Sequence, residues 1–257
     1  MGQPCPGCPP PSSDEPAIMP ILSLENVCKS FGALAVAQDV GFRLEVGEAL
    51  GIIGPNGAGK STLFNLITGN IAVDSGRIAF DGIDITDAPP MARCLAGLGR
   101  TFQIPQPFET LSVFENLLVA GAFGTARPEA QVAERCAQIL LETGLIHRAN
   151  DGAGQLSLLE RKRLELARAL ATRPKVLLLD EIAGGLTDAE CGELIATIRA
   201  IHASGVSIIW IEHVLHALNS VVERLLVLDF GKVIGVGAPD EIMASRQVRE
   251  IYLGIEI

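Results

Sequence analysis

The clearest chemistry in this 257-residue chain lies in Gly54-Pro55-Asn56-Gly57-Ala58-Gly59-Lys60-Ser61-Thr62. The stretch follows the apolar run Ala49-Leu50-Gly51-Ile52-Ile53 and precedes Leu63-Phe64-Asn65-Leu66-Ile67. A GxxxxGK(S/T) spacing in that setting predicts a strand, an anion-binding turn and a helix. The glycines let successive backbone N–H groups turn inward around an anion, and the positive end of the next helix points at the same place. Lys60 adds a charge for the β- and γ-phosphates, and the Ser61 hydroxyl can ligate Mg²⁺. The chemistry is the binding of a nucleoside triphosphate.

Hydrolysis needs carboxylates near the terminal phosphate. Val176-Leu177-Leu178-Leu179 reads as a buried strand and ends on the acidic pair Asp180-Glu181. Asp180 is placed to hold the Mg²⁺ shell and Glu181 to polarise the attacking water. His213 follows the apolar strand Ser207–Ile211 and Glu212, where it could bond a γ-phosphate oxygen and steady the base. A purely structural histidine is the competing reading. Gln103, after the short segment Gly99 to Phe102, could reach Mg²⁺ or the water, but carries little weight alone. A soluble kinase or GTPase would also use a phosphate loop, yet no acceptor-specific site or guanine-reading segment is evident.

These residues need a scaffold of strands and helices to bring them together. Hydrophobic residues make up 48% of the chain, but no uncharged apolar run has the length of a membrane span. Short apolar runs alternate with amphipathic stretches from Ile21 onward, which implies βα units around a parallel sheet covered on both faces. Expected strands are Ile21–Val27, Val40–Leu44, Gly76–Phe80, Val176–Asp180, Ser207–Ile211, Leu225–Asp229 and Lys232–Val236. Helices are expected from Ser112, over Pro128–Thr143, over Glu160–Ala171, from Thr187 to about Ser204, over Val214–Val221 and after Pro239. Capping boxes open those at Ser112 and Thr187.

The net charge of −10 argues against a dedicated nucleic-acid binder. Residues Met1 to Pro20 hold seven of the fifteen prolines and read as a disordered tail without a signal-peptide pattern. Cys5-Pro6-Gly7-Cys8 in that tail has metal or redox spacing without a second pair. It reads as solvated tail, or else as a half-site completed by a partner. The six scattered cysteines suit a reducing cytosol.

Taken in order, the motifs resemble the ATP-binding subunit of an ABC transporter, from about Ile21 to the C-terminus. The correspondence comprises a Walker A loop at Gly54 to Thr62, a Gln loop at Gln103, a signature at Leu156-Ser157, Walker B at Val176 to Asp180 with Glu181, and a His switch at His213. The resemblance implies an α/β fold: a P-loop NTPase core with a mostly parallel sheet, an N-terminal antiparallel β subdomain, and a helical subdomain over about 104–172. It implies ATP and Mg²⁺ as cofactors, Phe31 stacking on adenine, and Ser157 touching the ATP of a second ATP-binding subunit paired head to tail. It further implies integral membrane permease subunits as partners, and a peripheral place on the cytoplasmic face of the inner membrane.

The resemblance breaks at the signature. The family's LSGGQ is here Leu156-Ser157-Leu158-Leu159-Glu160, so both glycines that allow close backbone approach to a phosphate are leucines. Ser157 and Glu160 still form a capping box, followed by Arg161-Lys162-Arg163, which reads as a solvated basic face or as an aid to phosphate attraction. Ile182 replaces the family's usual proline, and Thr187 stands at the Asp-loop position. These departures predict weakened hydrolysis, or an ATP-binding interaction subunit with little turnover. Gly99 to Gln103, Leu111 to Leu118, Ile211 to Val214, Val227 to Ile234 and Ile251 to Gly254 look like importers for branched-chain and related amino acids. Such importers are fed indirectly by a periplasmic binding protein, and importers of urea or short amides share these features. The loop Ile104–Glu109 lies where the family docks a coupling helix of the membrane subunit.

Overall fold

The computed structural model describes residues 19–253; the proline-rich stretch with Cys5 and Cys8 lies outside them. The described chain opens with β1 (Leu22–Phe31) and β2 (Leu34–Leu44). β3 (Ala49–Ile53) leads through the glycine turn into α1 (Lys60–Thr68). β4 (Ser75–Phe80), β5 (Ile83–Asp84), α2 (Pro90–Ala96) and β6 (Leu98–Arg100) follow. Next come α3 (Val113–Thr125), α4 (Glu129–Glu142) and α5 (Leu158–Ala171), which pack on one another. β7 (Val176–Asp180), α6 (Asp188–Ala203), β8 (Ser207–Ile211), α7 (Leu215–Asn219) and β9 (Arg224–Asp229) build the second half of the core. β10 (Lys232–Gly237), α8 (Pro239–Ala244) and α9 (Arg246–Leu253) end it.

The strands form two sheets. One is antiparallel, in the order β2-β1-β4-β5; the other runs β10-β9-β3-β8-β7-β6 and is parallel except for β10. The period-2 alternation of a strand divides the apolar residues of the second sheet between two cores. Leu50, Ile52, Leu178, Ile209 and Ile211 join the antiparallel sheet and Phe64 and Ile67 of α1. Ala49, Ile53, Leu177, Leu179, Ile208 and Trp210 face the other way, toward residues of α3 to α6. Burial on both faces is why these strands read as unbroken apolar runs.

Several boundaries differ from the sequence expectation. β1 and β2 run on to meet in a tight hairpin through Gly32 (φ +60°), with register shifts that absorb the polar residues around Lys29 and Gln38. Their half-exposed polar positions hide the alternation on which a strand reading depends. α5 begins at Leu158, two residues before Glu160, which is the third residue of the helix. α7 is only Leu215–Asn219, and α2, with its single buried residue Arg93, has too weak an apolar stripe to be foreseen.

The consequence for function is positional. β3, β6, β7 and β8 are parallel neighbours in one sheet, so their carboxyl ends deliver the glycine turn, the Arg100–Gln103 segment, Asp180-Glu181 and Glu212-His213 to one edge. That is where open α/β sheets bind ligands.

Candidate functional site

The glycine turn is held from outside by the β9–β10 hairpin. Gly231 donates its amide to the Ala58 carbonyl at 2.9 Å. A Cβ on Gly54 would strike the Leu228 carbonyl, and one on Gly59 would stand 2.5 Å from the Val36 carbonyl oxygen. Gly59 is also in left-handed backbone (φ +102°) and no side chain caps α1, so the amides that open the helix are left to a ligand. Val36, Asn56 to Thr62 and Glu181 line the cleft in front of them. Phe31 and Ser157 are not among these lining residues. Phe31 is half-exposed at the end of β1, with the Lys29 ammonium 5.7 Å from its ring centroid.

Lys60 is buried and donates to the carbonyls of Gly54 (2.8 Å) and Pro55 (3.0 Å). Burial lowers its pKa, opposed by the charges of Glu181 and Asp180.

Asp180, at the end of β7, is buried and pairs through Oδ2 with the Arg100 guanidinium at 2.8 Å. Arg100 also donates to Asn65 Oδ1 of α1 at 2.6 Å, and its guanidinium carbon lies 5.5 Å from the Phe64 ring centroid and 5.1 Å from that of Phe102. Asp180 Oδ1 is buried without a protein hydrogen-bond partner. A buried carboxylate oxygen left over next to a phosphate-binding turn is what a hard cation with water ligands would use, so Ser61 and Asp180 fit Mg²⁺.

Glu181 takes a left-handed conformation (φ +46°), uncommon for a residue with a Cβ, and its amide donates to Ile211 O at 2.9 Å. The strained turn aims its carboxylate back at the cleft. Gln103 Nε2 donates to Glu181 Oε2 at 2.5 Å, and His213 Nε2 lies 3.0 Å from Glu181 Oε1. Two residues far apart in sequence, Gln103 and His213, thus share the Glu181 carboxylate.

Two further ionisable groups complete the site: Lys162, read from the sequence only as part of a basic run, and Glu212, given no role there. Lys162, in α5, is 3% exposed and donates to Gln103 O (2.7 Å) and Glu181 O (3.4 Å). Burial lowers its pKa, against the pull of Glu212, Glu181, Glu165 and Asp180. Glu212, 1% exposed, accepts from the Ala183 amide at 2.9 Å, and burial pushes its pKa up to about 7. Strand and helix periodicity could have flagged both. Glu212 continues the alternation Ile208, Trp210; Lys162 shares a face with Glu165, Leu166 and Ala169, all buried.

The basic run Arg161-Lys162-Arg163 is therefore not the solvated face that its composition suggests. Arg161 donates to the carbonyls of Leu156 and Gly154, and Arg163 pairs with Glu193 at 2.6 Å. The helix turns each cation toward a different neighbour. Ser157 caps α5 and Leu158 is 45% exposed, its methyl group against Gly185.

A family profile described as ABC transporter matches residues 37–184. This chain belongs to the ABC transporter family. The lipopolysaccharide export system ATP-binding protein LptB of Haemophilus influenzae is 35% identical over 92% of this chain and 98% of its own. The high-affinity branched-chain amino acid transport ATP-binding protein BraF of Pseudomonas aeruginosa is 35% identical over 91% of this chain and 98% of its own. A nucleotide-free ATP-binding cassette of an ABC transporter superposes with a TM-score of 0.85 at 32% identity, covering 92% of this chain and 100% of that one. A cassette in its ADP conformation gives 0.84 at 33%, with 92% and 100% covered. As an ABC cassette, the chain is the ATP-binding subunit of a transporter, with the α/β fold of two sheets and flanking helices expected of it. Among the described residues no helix is long and apolar enough to cross a membrane.

Proposed function

We propose that this cassette hydrolyses ATP to drive import of branched-chain or related amino acids, with urea and short amides as the competing substrates. Residues 21–257 act as one ATP-binding domain, with 104–172 as its helical subdomain. Gly54 to Thr62 hold the phosphates, Lys60 leaving the Gly54 and Pro55 carbonyls for phosphate oxygens. Phe31 stacks on the base. Ser61, Asp180 and Gln103 would hold Mg²⁺, which would supply charge neutralisation at the phosphate oxygens. Glu181 accepts a proton from the attacking water, while Gln103 and His213 fix the orientation of its carboxylate.

The observation that carries this reading is the convergence of Gln103 and His213 on Glu181, beside the glycine turn. Import rests on the motif resemblance and on relatives such as BraF; the LptB relatives make lipid export the alternative. The partners are then two permease subunits, docked against the loop Ile104–Glu109, and a second ATP-binding subunit whose ATP meets Ser157. A periplasmic binding protein acts indirectly, and the cassette sits on the cytoplasmic face of the inner membrane.

Leu158 and Leu159 favour a second reading, an ATP-binding interaction subunit with little turnover. ATPase activity measured in the complex that co-purifies, with and without a substrate-loaded binding protein, separates the possibilities. Stimulation by leucine supports the import reading, and stimulation by urea reassigns the substrate. ATP binding with turnover no greater than that of Glu181→Gln supports the interaction subunit.

A further inference from the structure

We infer that Lys162 is a positioning residue that clamps the Gln103 loop and the Glu181 turn together, and so joins α5 to the hydrolytic carboxylate. The inference rests on the reading of Glu181 as the general base. The ammonium is 3% exposed, yet it pairs with no carboxylate of the described residues at salt-bridge distance; its acceptors are the main-chain carbonyls of Gln103 and Glu181. A buried charge is costly unless its donors are used, and an ammonium has three donors on one point. Burial lowers the Lys162 pKa, and Glu212, Glu181, Glu165 and Asp180 oppose that shift.

The two carbonyls belong to the two segments whose side chains meet in the Gln103–Glu181 bond. Those segments come from different parts of the chain: Gln103 lies in a loop after β6, and Glu181 in a left-handed turn after β7. Both side chains could swing apart if their backbones were free. Gln103 is exposed, so packing does not hold it. One cation bonded to both backbones fixes their separation, and the opposite end of that cation is anchored in a buried helix face. A shift of α5 relative to the sheet therefore pulls on both backbones at once, and so on the Gln103–Glu181 bond. The altered signature at Leu158-Leu159 opens this same helix, one turn before Lys162.

The test uses the full chain in its co-purified complex. Lys162→Met removes the donors at similar length, and Lys162→Arg keeps a cation with donors. Lys162→Met is expected to lower kcat by about 10–100-fold, the range for a misplaced catalytic group. ATP affinity, read by calorimetry, stays within about twofold, since the loss falls on the reacting geometry and not on ground-state binding. Lys162→Arg recovers most of kcat. Amide hydrogen exchange in Lys162→Met rises in peptides covering 101–105 and 180–184 and stays unchanged in those covering 54–62. Equal kcat in Lys162→Met and wild type overturns the inference, as does exchange that rises uniformly over the chain. Should Lys162→Met fail to fold, Lys162→Gln is read in the same two ways. Glu181→Gln runs alongside: if it turns over like wild type, the reading of the base fails, whatever Lys162 does.

Discussion

At the start of α1 the chain arrives through left-handed Gly59, and no side chain caps the helix. At the start of α5, Ser157 accepts the Glu160 amide, and Glu160 accepts the Ser157 amide at 2.8 Å. Both are helix N-termini that follow a loop, and both carry the partial positive charge of the helix dipole. The first leaves its donors to a ligand; the second spends them within the chain. Close approach is also opposite at the two places. Neighbouring carbonyls allow no side chain at Gly54 or Gly59, whereas the Leu158 side chain is accommodated, 45% exposed and beside Gly185. α5 instead works from its inward face, through Lys162. The two openings meet at Glu181, which lines the cleft before α1 and also the depression beside Leu158 and Lys162.

The largest effect is expected where the two meet. Glu181→Gln keeps the shape and the bond to His213 but cannot accept a proton, so kcat should fall about 10²–10³-fold with ATP affinity retained. Single-turnover hydrolysis and a binding isotherm on the same sample check this. If both change in proportion, Glu181 serves binding and the division between the two openings loses its centre.

Next comes the open N-terminus itself. Lys60→Ala removes the charge facing the phosphates, which should weaken ATP by about 3 kcal/mol, roughly 100-fold in Kd. A fluorescent nucleotide titration measures it. Unaltered occupancy would mean that the opening of α1 is no nucleotide site.

These effects were legible early because the phosphate loop, the carboxylate-ended strand and all three capping boxes are local patterns, each complete within a few residues. What stayed hidden depends on the fold. Arg100 and Lys162 are cations in runs that look solvent-facing, and only the stacking of β6 on β7 and of α5 on the sheet shows them buried. Glu212 reads as the polar end of a strand until Ala183, across the edge, closes over it. The β1–β2 hairpin was cut short because an edge with mixed burial carries no clean alternation.

Glu212 tests how dry the ground beneath both openings is. Its pKa rises from 4.5 to about 7, mainly by burial, with the charge of Glu181 adding and the amides of Ala183 and His213 and the charge of Lys162 opposing. The folded protein therefore holds a proton that the unfolded chain has released. Stability from this group is fully present below the unfolded value of 4.5, falls as pH rises toward about 7, and is level above that. The loss is on the order of 3 kcal/mol at most. Urea midpoints measured from pH 5 to 8 should decline less in Glu212→Gln than in wild type. Parallel curves would show that water reaches the carboxyl.

The smallest effect separates a cap from a ligand site at α5. Ser157→Ala removes the hydroxyl that accepts the Glu160 amide and should cost about 1 kcal/mol of stability, or a fall in Tm of about 2–4 °C for a domain of this size. ATP affinity of the isolated chain should not move, because Ser157 is not among the residues lining its cleft. Adding a second ATP-binding subunit sharpens the point. If Ser157 touches that subunit's ATP, the alanine variant slows turnover only in the pair, and by more than the lost cap explains. If stability and paired turnover fall together to the extent seen in Glu160→Ala, which breaks the same box from its other side, then Ser157 is a cap alone. α5 would then take part in hydrolysis only through its buried face.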